Sequence, residues 1–228
     1  MNEPASMNWP DISAWRKAQR AAWIAWRQAV PQQQRLQRDR RISGLLRMAL
    51  SAPRGVVVGF CWPFKGEFDA RFAVRDWRVQ GAIAALPEVV AKGQPLRFRQ
   101  WWPGAPMTKG VYDIPLPDGT PEVLPDVAIV PMNAYDGRGY RLGYGGGYFD
   151  RTLAALGRRV IAVGVTYQDC CVADIFPQAH DLPMDFVVTE DGVRTAGGEP
   201  LNALAPADFA GQVQRLMVQR RLPRIEYN

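Results

Sequence analysis

The segment Arg141-Leu-Gly-Tyr-Gly-Gly-Gly-Tyr-Phe-Asp-Arg151 places four glycines, Gly143, Gly145, Gly146 and Gly147, within five positions. Upstream, Val127-Ala-Ile-Val-Pro131 is an apolar run of the buried-strand kind. Downstream, Arg151 to Gly157 repeats apolar residues at helical spacing and stops on a glycine. The order is strand, glycine loop, helix. Glycines let successive N–H groups converge in backbone regions closed to other residues, and the helix start that follows adds partial positive charge. Together they predict a cradle for phosphate oxygens. The loop lacks the Gly-Lys-Ser/Thr ending of a Walker A motif, and Tyr148 stands where a dinucleotide fingerprint needs its third glycine. Asp150, at the expected helix start, is either an N-cap or a ligand for Mg²⁺ beside bound phosphates.

The rest of the chain fits a layered α/β domain around that loop. With 228 residues, 47% hydrophobic and 22% charged, one domain with tails is expected. No apolar run approaches the length of a bilayer span, and the first residues lack the layout of a signal peptide, so a cytoplasmic protein is expected. Three cysteines, with Cys170 and Cys171 adjacent, offer neither a disulfide framework nor metal-ligand spacing and read as reduced packing residues. A net charge of +6 favours anionic partners without choosing among nucleic acid, nucleotide and polycarboxylate.

Residues 1–12 read as a tail, and Ser13 as the cap of a helix running through Gln28. At about 100° per residue, Arg16, Arg20 and Arg27 share an arc of about 40°, either a solvated face or a grip for phosphates or carboxylates. Gln32 to Ser51 reads as a second helix. Strands are expected at 55–61, 82–87, 96–102, 127–131, 160–166 and 185–189, with a helix ending near Gln80. Glu67, at the turn after the first strand, either flanks a helix N-terminus or receives the N–H groups of a substrate at a strand's carboxyl end. Residues 103–125 carry six prolines and are expected to be an extended connection. On it, Met107 and Tyr112 either line a site for an aromatic ligand or pin the loop down. His180, the single histidine, has no nucleophile motif beside it and reads as structural. Asp181, on the loop into the last parallel strand, is placed to join Asp150 as a second metal-facing carboxylate. A helical pattern spans Pro206 to Arg220.

The loop from Arg141 to Arg151 resembles the signature of the 5-formyltetrahydrofolate cyclo-ligase family, also called 5,10-methenyltetrahydrofolate synthetase. So do the basic helix (Arg16, Lys17, Arg20, Arg27), the strand and turn carrying Glu67, and Gly110-Val-Tyr-Asp-Ile-Pro-Leu-Pro117. Asp126 to Pro131 and His180 to Glu190 complete the likeness, which spans roughly residues 15 to 191. It implies a Rossmann-like three-layer α/β/α fold with a mainly parallel sheet (NagB/RpiA/CoA transferase-like), one domain over 13–193 and an extension over 194–228. It also implies ATP- and Mg²⁺-dependent closure of 5-formyltetrahydrofolate, with or without a polyglutamate tail, to 5,10-methenyltetrahydrofolate. ADP and phosphate are released after the formyl oxygen is phosphorylated and N10 captures the product, chemistry that rests on positioning and charge neutralisation.

Carried over by position, Arg16, Lys17 and Arg20 bind ATP together with Arg141, Leu142, Gly143, Tyr144, Gly145, Gly146, Gly147, Tyr148 and Phe149. Arg141 and Tyr148 lie at the reacting groups. Glu67, Tyr112, Tyr144, Gly145, Gly146, Gly147 and Tyr148 bind the folate, and Asp150 and Asp181 hold Mg²⁺. Tyr144 and Gly146 stand where some relatives have a basic residue, and Phe149 replaces a usual tyrosine. The turn Trp62 to Glu67 is bulkier than its counterparts. A monomer or dimer without nucleic-acid or membrane partners is implied. Two rivals are a paralogue that binds ATP or folate without closing the ring, and a nucleic-acid-binding protein suggested by charge and eight tryptophans.

Overall fold

The computed structural model describes residues 8–51, 53–196 and 201–222. The N-terminal tail expected over 1–12 lies outside them up to residue 7, as do residues 197–200 and 223–228 of the expected extension. Helix α1 (Trp9–Ala29) begins before Ser13, because Asn8 caps it by accepting Asp11 N–H at 3.1 Å and Pro10 fits the first turn. Helix α2 (Gln32–Ala49) follows at once, the break set by extended backbone at Val30 and Pro31.

Strand β1 (Val57–Gly59) leads through the turn bearing Glu67 to α3 (Arg71–Val79) and β2 (Ile83–Glu88), which pairs in parallel with β1. Strand β3 (Arg97–Trp101) returns antiparallel to β2. The proline-rich stretch is not a plain extended connection. It folds back as a two-stranded antiparallel sheet of β4 (Met107–Lys109) and β5 (Pro115–Pro117), with Met107 opposite Pro117 and Lys109 opposite Pro115.

Strand β6 (Val127–Pro131) precedes a hairpin-like pair, β7 (Ala134–Asp136) and β8 (Arg141–Leu142), and the glycine loop then opens into α4 (Tyr148–Leu156). The remaining strands are β9 (Ile161–Val165), β10 (Cys171–Val172), β11 (Phe186–Thr189), β12 (Gly192–Thr195) and β13 (Asn202–Leu204), before the last helix, α5 (Pro206–Arg220).

The main sheet runs β13-β12-β11-β9-β6-β1-β2-β3, and its five central strands are parallel. Alternation along β6 divides the core: Val127 and Ile129 face a cluster with Ile42 and Leu46 of α2, Trp77 of α3 and Phe209, Val213 and Met217 of α5. Ala128 and Val130 face a smaller cluster with Leu153 of α4, Tyr135 and Met184. Helices therefore cover both faces of a mostly parallel sheet.

Candidate functional site

Strand β1 sits between β2 and β6, and the connections from β1 and from β6 leave in opposite directions along the sheet. In such sheets the crevice outside the carboxyl ends of the two diverging strands is the place a ligand can enter. Glu67 follows β1 there, and the β7–β8 pair delivers the glycine loop there from β6. Helix α1 crosses above both, with Arg16, Arg20 and Arg27 all turned toward the crevice side, so the one-face stripe is not a solvated surface.

Gly145 and Gly147 have φ of +90° and +63°, conformations that L side chains rarely adopt. Gly147, not Asp150, is the N-cap of α4, and no side chain caps the first turn. A Cβ on Gly146 would lie 2.6 Å from the Tyr148 ring. Two arginines flank this bare backbone. Arg20 Nε donates to Gly143 O at 3.0 Å, and Arg151 donates to Gly146 O while its guanidinium sits 5.5 Å over the Tyr148 ring. Arg151 Nε is buried with no partner among the described residues. Burial, with Arg16 nearby, lowers the Arg20 pKa, and Asp181 opposes the shift. Arg151 was not among the expected site residues. Its signal was its place one turn after Gly147.

Asp150 lies in the first turn of α4. Its Oδ1 accepts Leu182 N–H at 3.2 Å and lies 3.1 Å from Arg141 Nη1, which also donates to Leu182 O. Burial lowers the pKa of Arg141, against the raising effect of Asp150 and Asp181. Asp181, the neighbour of Leu182, accepts Gln178 N–H at 2.7 Å and Arg16 Nη2 at 2.5 Å on Oδ2. Burial works to raise the Asp181 pKa, but these two donors outweigh it and leave it lowered. Asp150 and Asp181 thus approach the same short strap from two sides, each met by an arginine. Among the described residues no three His, Cys, Asp or Glu side chains are grouped to hold a metal ion. His180 is exposed, with Nε2 3.8 Å from Asp181 Oδ1.

At the other end of the crevice, Lys65 and Gly66 are left-handed, and the turn closes with Glu67 N–H donating to Phe64 O at 3.1 Å. Glu67 is 8% exposed. Its Oε2 accepts Phe64 N–H at 3.0 Å and its Oε1 accepts the Tyr144 hydroxyl at 2.9 Å. Burial pushes the Glu67 carboxyl upward, and Arg27, the Tyr144 hydroxyl and the Phe64 N–H pull against it. Phe64 stacks on Tyr112 at 6.4 Å and tilts against Tyr144 at 5.8 Å, so three rings run from the β4–β5 sheet to the glycine loop. Tyr112 is left-handed and exposed, and Met107 is exposed on β4.

The structure therefore gathers Glu67, Tyr144, Arg20, Arg16, the glycines, Tyr148, Asp150, Asp181 and Arg141 around one crevice. Phe149 lies under the Arg141 guanidinium at 6.0 Å. Lys17 is exposed on α1. Leu142 is buried against Ala134 and Ile175. Arg27, read only as part of the stripe, proves to be a hub that contacts Lys65, Met132 and Tyr144.

The sequence model of the 5-formyltetrahydrofolate cyclo-ligase family matches residues 12–190. The 5-formyltetrahydrofolate cyclo-ligase of Escherichia coli K12 is 40% identical over 140 residues, covering 57% of this chain and 75% of that protein. The enzyme of the same name from Haemophilus influenzae is 30% identical over 135 residues, covering 56% of this chain and 72% of that protein. The NMR structure of Aquifex aeolicus 5,10-methenyltetrahydrofolate synthetase matches with a TM-score of 0.68 at 27% identity, covering 83% of this chain and 96% of that one.

Proposed function

The chain belongs to the 5-formyltetrahydrofolate cyclo-ligase family, and on that premise we propose that it closes 5-formyltetrahydrofolate to 5,10-methenyltetrahydrofolate with ATP and Mg²⁺. One observation carries the assignment to this crevice. A buried carboxylate and a bare glycine loop are joined directly, the Tyr144 hydroxyl of the loop donating to Glu67 at 2.9 Å. An acceptor for pterin N–H groups and a cradle for a triphosphate are thereby neighbours, as transfer of a phosphoryl group to the formyl oxygen requires.

The residues present fit the two groups. Gly145, Gly146 and Gly147, which no other residue can replace without strain or collision, the uncapped N–H groups of α4 and the Arg20 and Arg151 guanidiniums suit phosphate oxygens. Asp150 accepts Leu182 N–H and Asp181 is the residue before Leu182, so both carboxylates lie at one strap, each paired with an arginine, and Mg²⁺ held there would complete its shell with phosphate oxygens and water. The nucleotide and metal would supply a phosphoryl group and charge neutralisation that turn the formyl oxygen into a leaving group, so that N10 can attack the formyl carbon as phosphate departs.

The chain's own residues would bind and orient. Glu67 accepts the pterin N–H groups, and Tyr112 and Tyr144 flank the ring. Arg16, Lys17, Arg20 and the backbone from Leu142 to Phe149 hold the triphosphate, with Gly145 to Tyr148 also meeting the folate. Arg141 and Tyr148 stand at the transferring group.

We assign residues 13–193 as the catalytic unit, of the NagB/RpiA/CoA transferase-like class, and 194–228 as an extension. The assignment also takes a cytoplasmic protein, acting as a monomer or dimer on folates with or without polyglutamate tails. No helix among the described residues is long and apolar enough to cross a membrane. The inward-turned arginines of α1 argue against the nucleic-acid reading. The test is the rise in methenyltetrahydrofolate absorbance from 5-formyltetrahydrofolate and MgATP. Folded wild-type protein should produce it and Asp150→Asn should lose it, whereas its absence with wild type would overturn the reading.

A further inference from the structure

We infer that Arg27 is a positioning residue for pterin recognition: its guanidinium locks the Glu67 turn, the end of β6 and Tyr144 into one frame that presents the Glu67 carboxylate as an acceptor in a single orientation. The inference rests on the assignment of Glu67 to the folate.

Arg27 is 2% exposed, and besides its ion pair with Glu67 it donates to groups on three separate segments. Its Nε donates to Lys65 O at 3.0 Å, Nη1 to Met132 O at 3.4 Å and Nη2 to the Tyr144 hydroxyl at 3.0 Å. A guanidinium has no acceptor, so the Tyr144 oxygen must accept from Arg27, and its one proton is then committed to Glu67 Oε1. With Oε2 held by Phe64 N–H, both carboxylate oxygens are fixed by groups whose polarity leaves the carboxylate no role but acceptor. The network orients Glu67 for N–H groups.

The same guanidinium stabilises the charge it orients. Nη2 lies 3.9 Å from Glu67 Oε1, and the two side chains are 2% and 5% exposed, so little solvent screens them. Burial alone drives the Glu67 carboxyl toward its neutral form, and Arg27 is the largest opposing influence. The other ionisable groups facing Glu67 are few. Lys65 on its own turn is over the Phe64 ring, Arg35 of α2 reaches the Gly66 position, and the Cys61 thiol at the end of β1 is pushed up chiefly by burial and also by Glu67. Tyr144 belongs to the glycine loop, and its hydroxyl is the one point at which Arg27 touches that loop among the described residues. A lysine cannot reproduce this fork of three directed donors.

The experiment compares full-length wild type, Arg27→Gln, Arg27→Lys and Tyr144→Phe. It reads folate and MgATP KM, kcat, folate binding by fluorescence without ATP, and thermal stability, between about pH 5.5 and 8.5. Arg27→Gln should raise the folate KM at least ~10-fold with MgATP KM and kcat within ~2-fold, the signature of lost uniform binding of one substrate. Because a protonated Glu67 meets pterin donors with a donor, folate binding should weaken as pH falls, and the midpoint should move to higher pH in Arg27→Gln. Arg27→Lys should restore the midpoint but not the KM, and Tyr144→Phe should show a smaller shift of both.

Unchanged folate KM and midpoint in the Arg27 variants, with only a lower melting temperature, would overturn the inference. If the Arg27 variants do not fold, an unchanged Tyr144→Phe would overturn it instead. Absence of closure by wild type sinks the reaction and leaves the binding arm readable, and folate binding unaltered in Glu67→Gln sinks the substrate assignment.

Discussion

Arg16 Nη2 and Asp181 Oδ2 are 2.5 Å apart, joining the start of the chain to the strap before β11 across a sequence separation of 165 residues. Both side chains are nearly buried, and Arg16 also donates to the carbonyls of Ile175 and Phe176. An arginine assigned to phosphates and an aspartate assigned to Mg²⁺ therefore hold each other.

Arg16→Ala should consequently affect stability as well as nucleotide binding. It leaves a mostly buried carboxylate without its cation, a change that costs about 3 kcal/mol where both partners are desolvated. Chemical denaturation should show the loss, and MgATP affinity measured by calorimetry should fall more than ~10-fold while folate binding holds.

The glycine loop offers an internal comparison. Gly145 has φ +90°, and a Cβ there would lie 3.3 Å from the Arg20 guanidinium carbon, whereas a Cβ on Gly143 meets nothing within 4 Å. Gly145→Ala should cost about 1–2 kcal/mol in the loop and displace Arg20, weakening a non-hydrolysable MgATP analogue about 10-fold or more. Gly143→Ala should stay within about 3-fold of wild type in the same titration.

Asp39 supplies a pH dependence of stability. It is buried in α2 beneath the Tyr167 hydroxyl, which donates to it at 2.9 Å, and burial pushes its carboxyl up to about 6 against the lowering effect of Tyr167. A pKa raised on folding means that the folded chain binds the proton more tightly. The contribution is complete below the ordinary carboxylate value and is lost as pH rises through about 6. Asp39→Asn should remove that decline, making the variant more stable than wild type at pH 8 by on the order of 1–3 kcal/mol and nearly equal to it at about pH 4. Urea unfolding across that range measures it.

Phe209 tests whether the extension belongs to the fold. It is fully buried, its ring 5.0 Å from that of Phe186 on β11. Phe209→Ala should destabilise the whole domain by about 3–5 kcal/mol, lowering the single melting transition.

Periodicity made the scaffold readable. The apolar run of β6 and the pattern of α5 occupy the residues expected, Val127–Pro131 and Pro206–Arg220. Helical spacing, a local property, put the three α1 arginines on one face but left open whether that face meets solvent or the crevice. Boundaries set by caps were less visible, since Asn8 and Gly147 do the work expected of Ser13 and Asp150. The β4–β5 pair was hidden because prolines and glycines signal a turn but not which flanking residues pair across it. The partnerships of the site were the least readable. Tyr144 meets Glu67 across 77 residues and Arg27 meets Tyr144 across 117, contacts that only the strand order creates. The glycine motif identified the loop but carried no sign that a tyrosine inside it would reach the carboxylate.

The position of α5 has a consequence for biosynthesis. Its Phe209, Val213 and Met217 close the larger core, although they are made after every strand of the main sheet. A nascent chain that already holds Glu67 and the glycine loop must still expose the apolar ground for this helix until residue 220 is free to cover it.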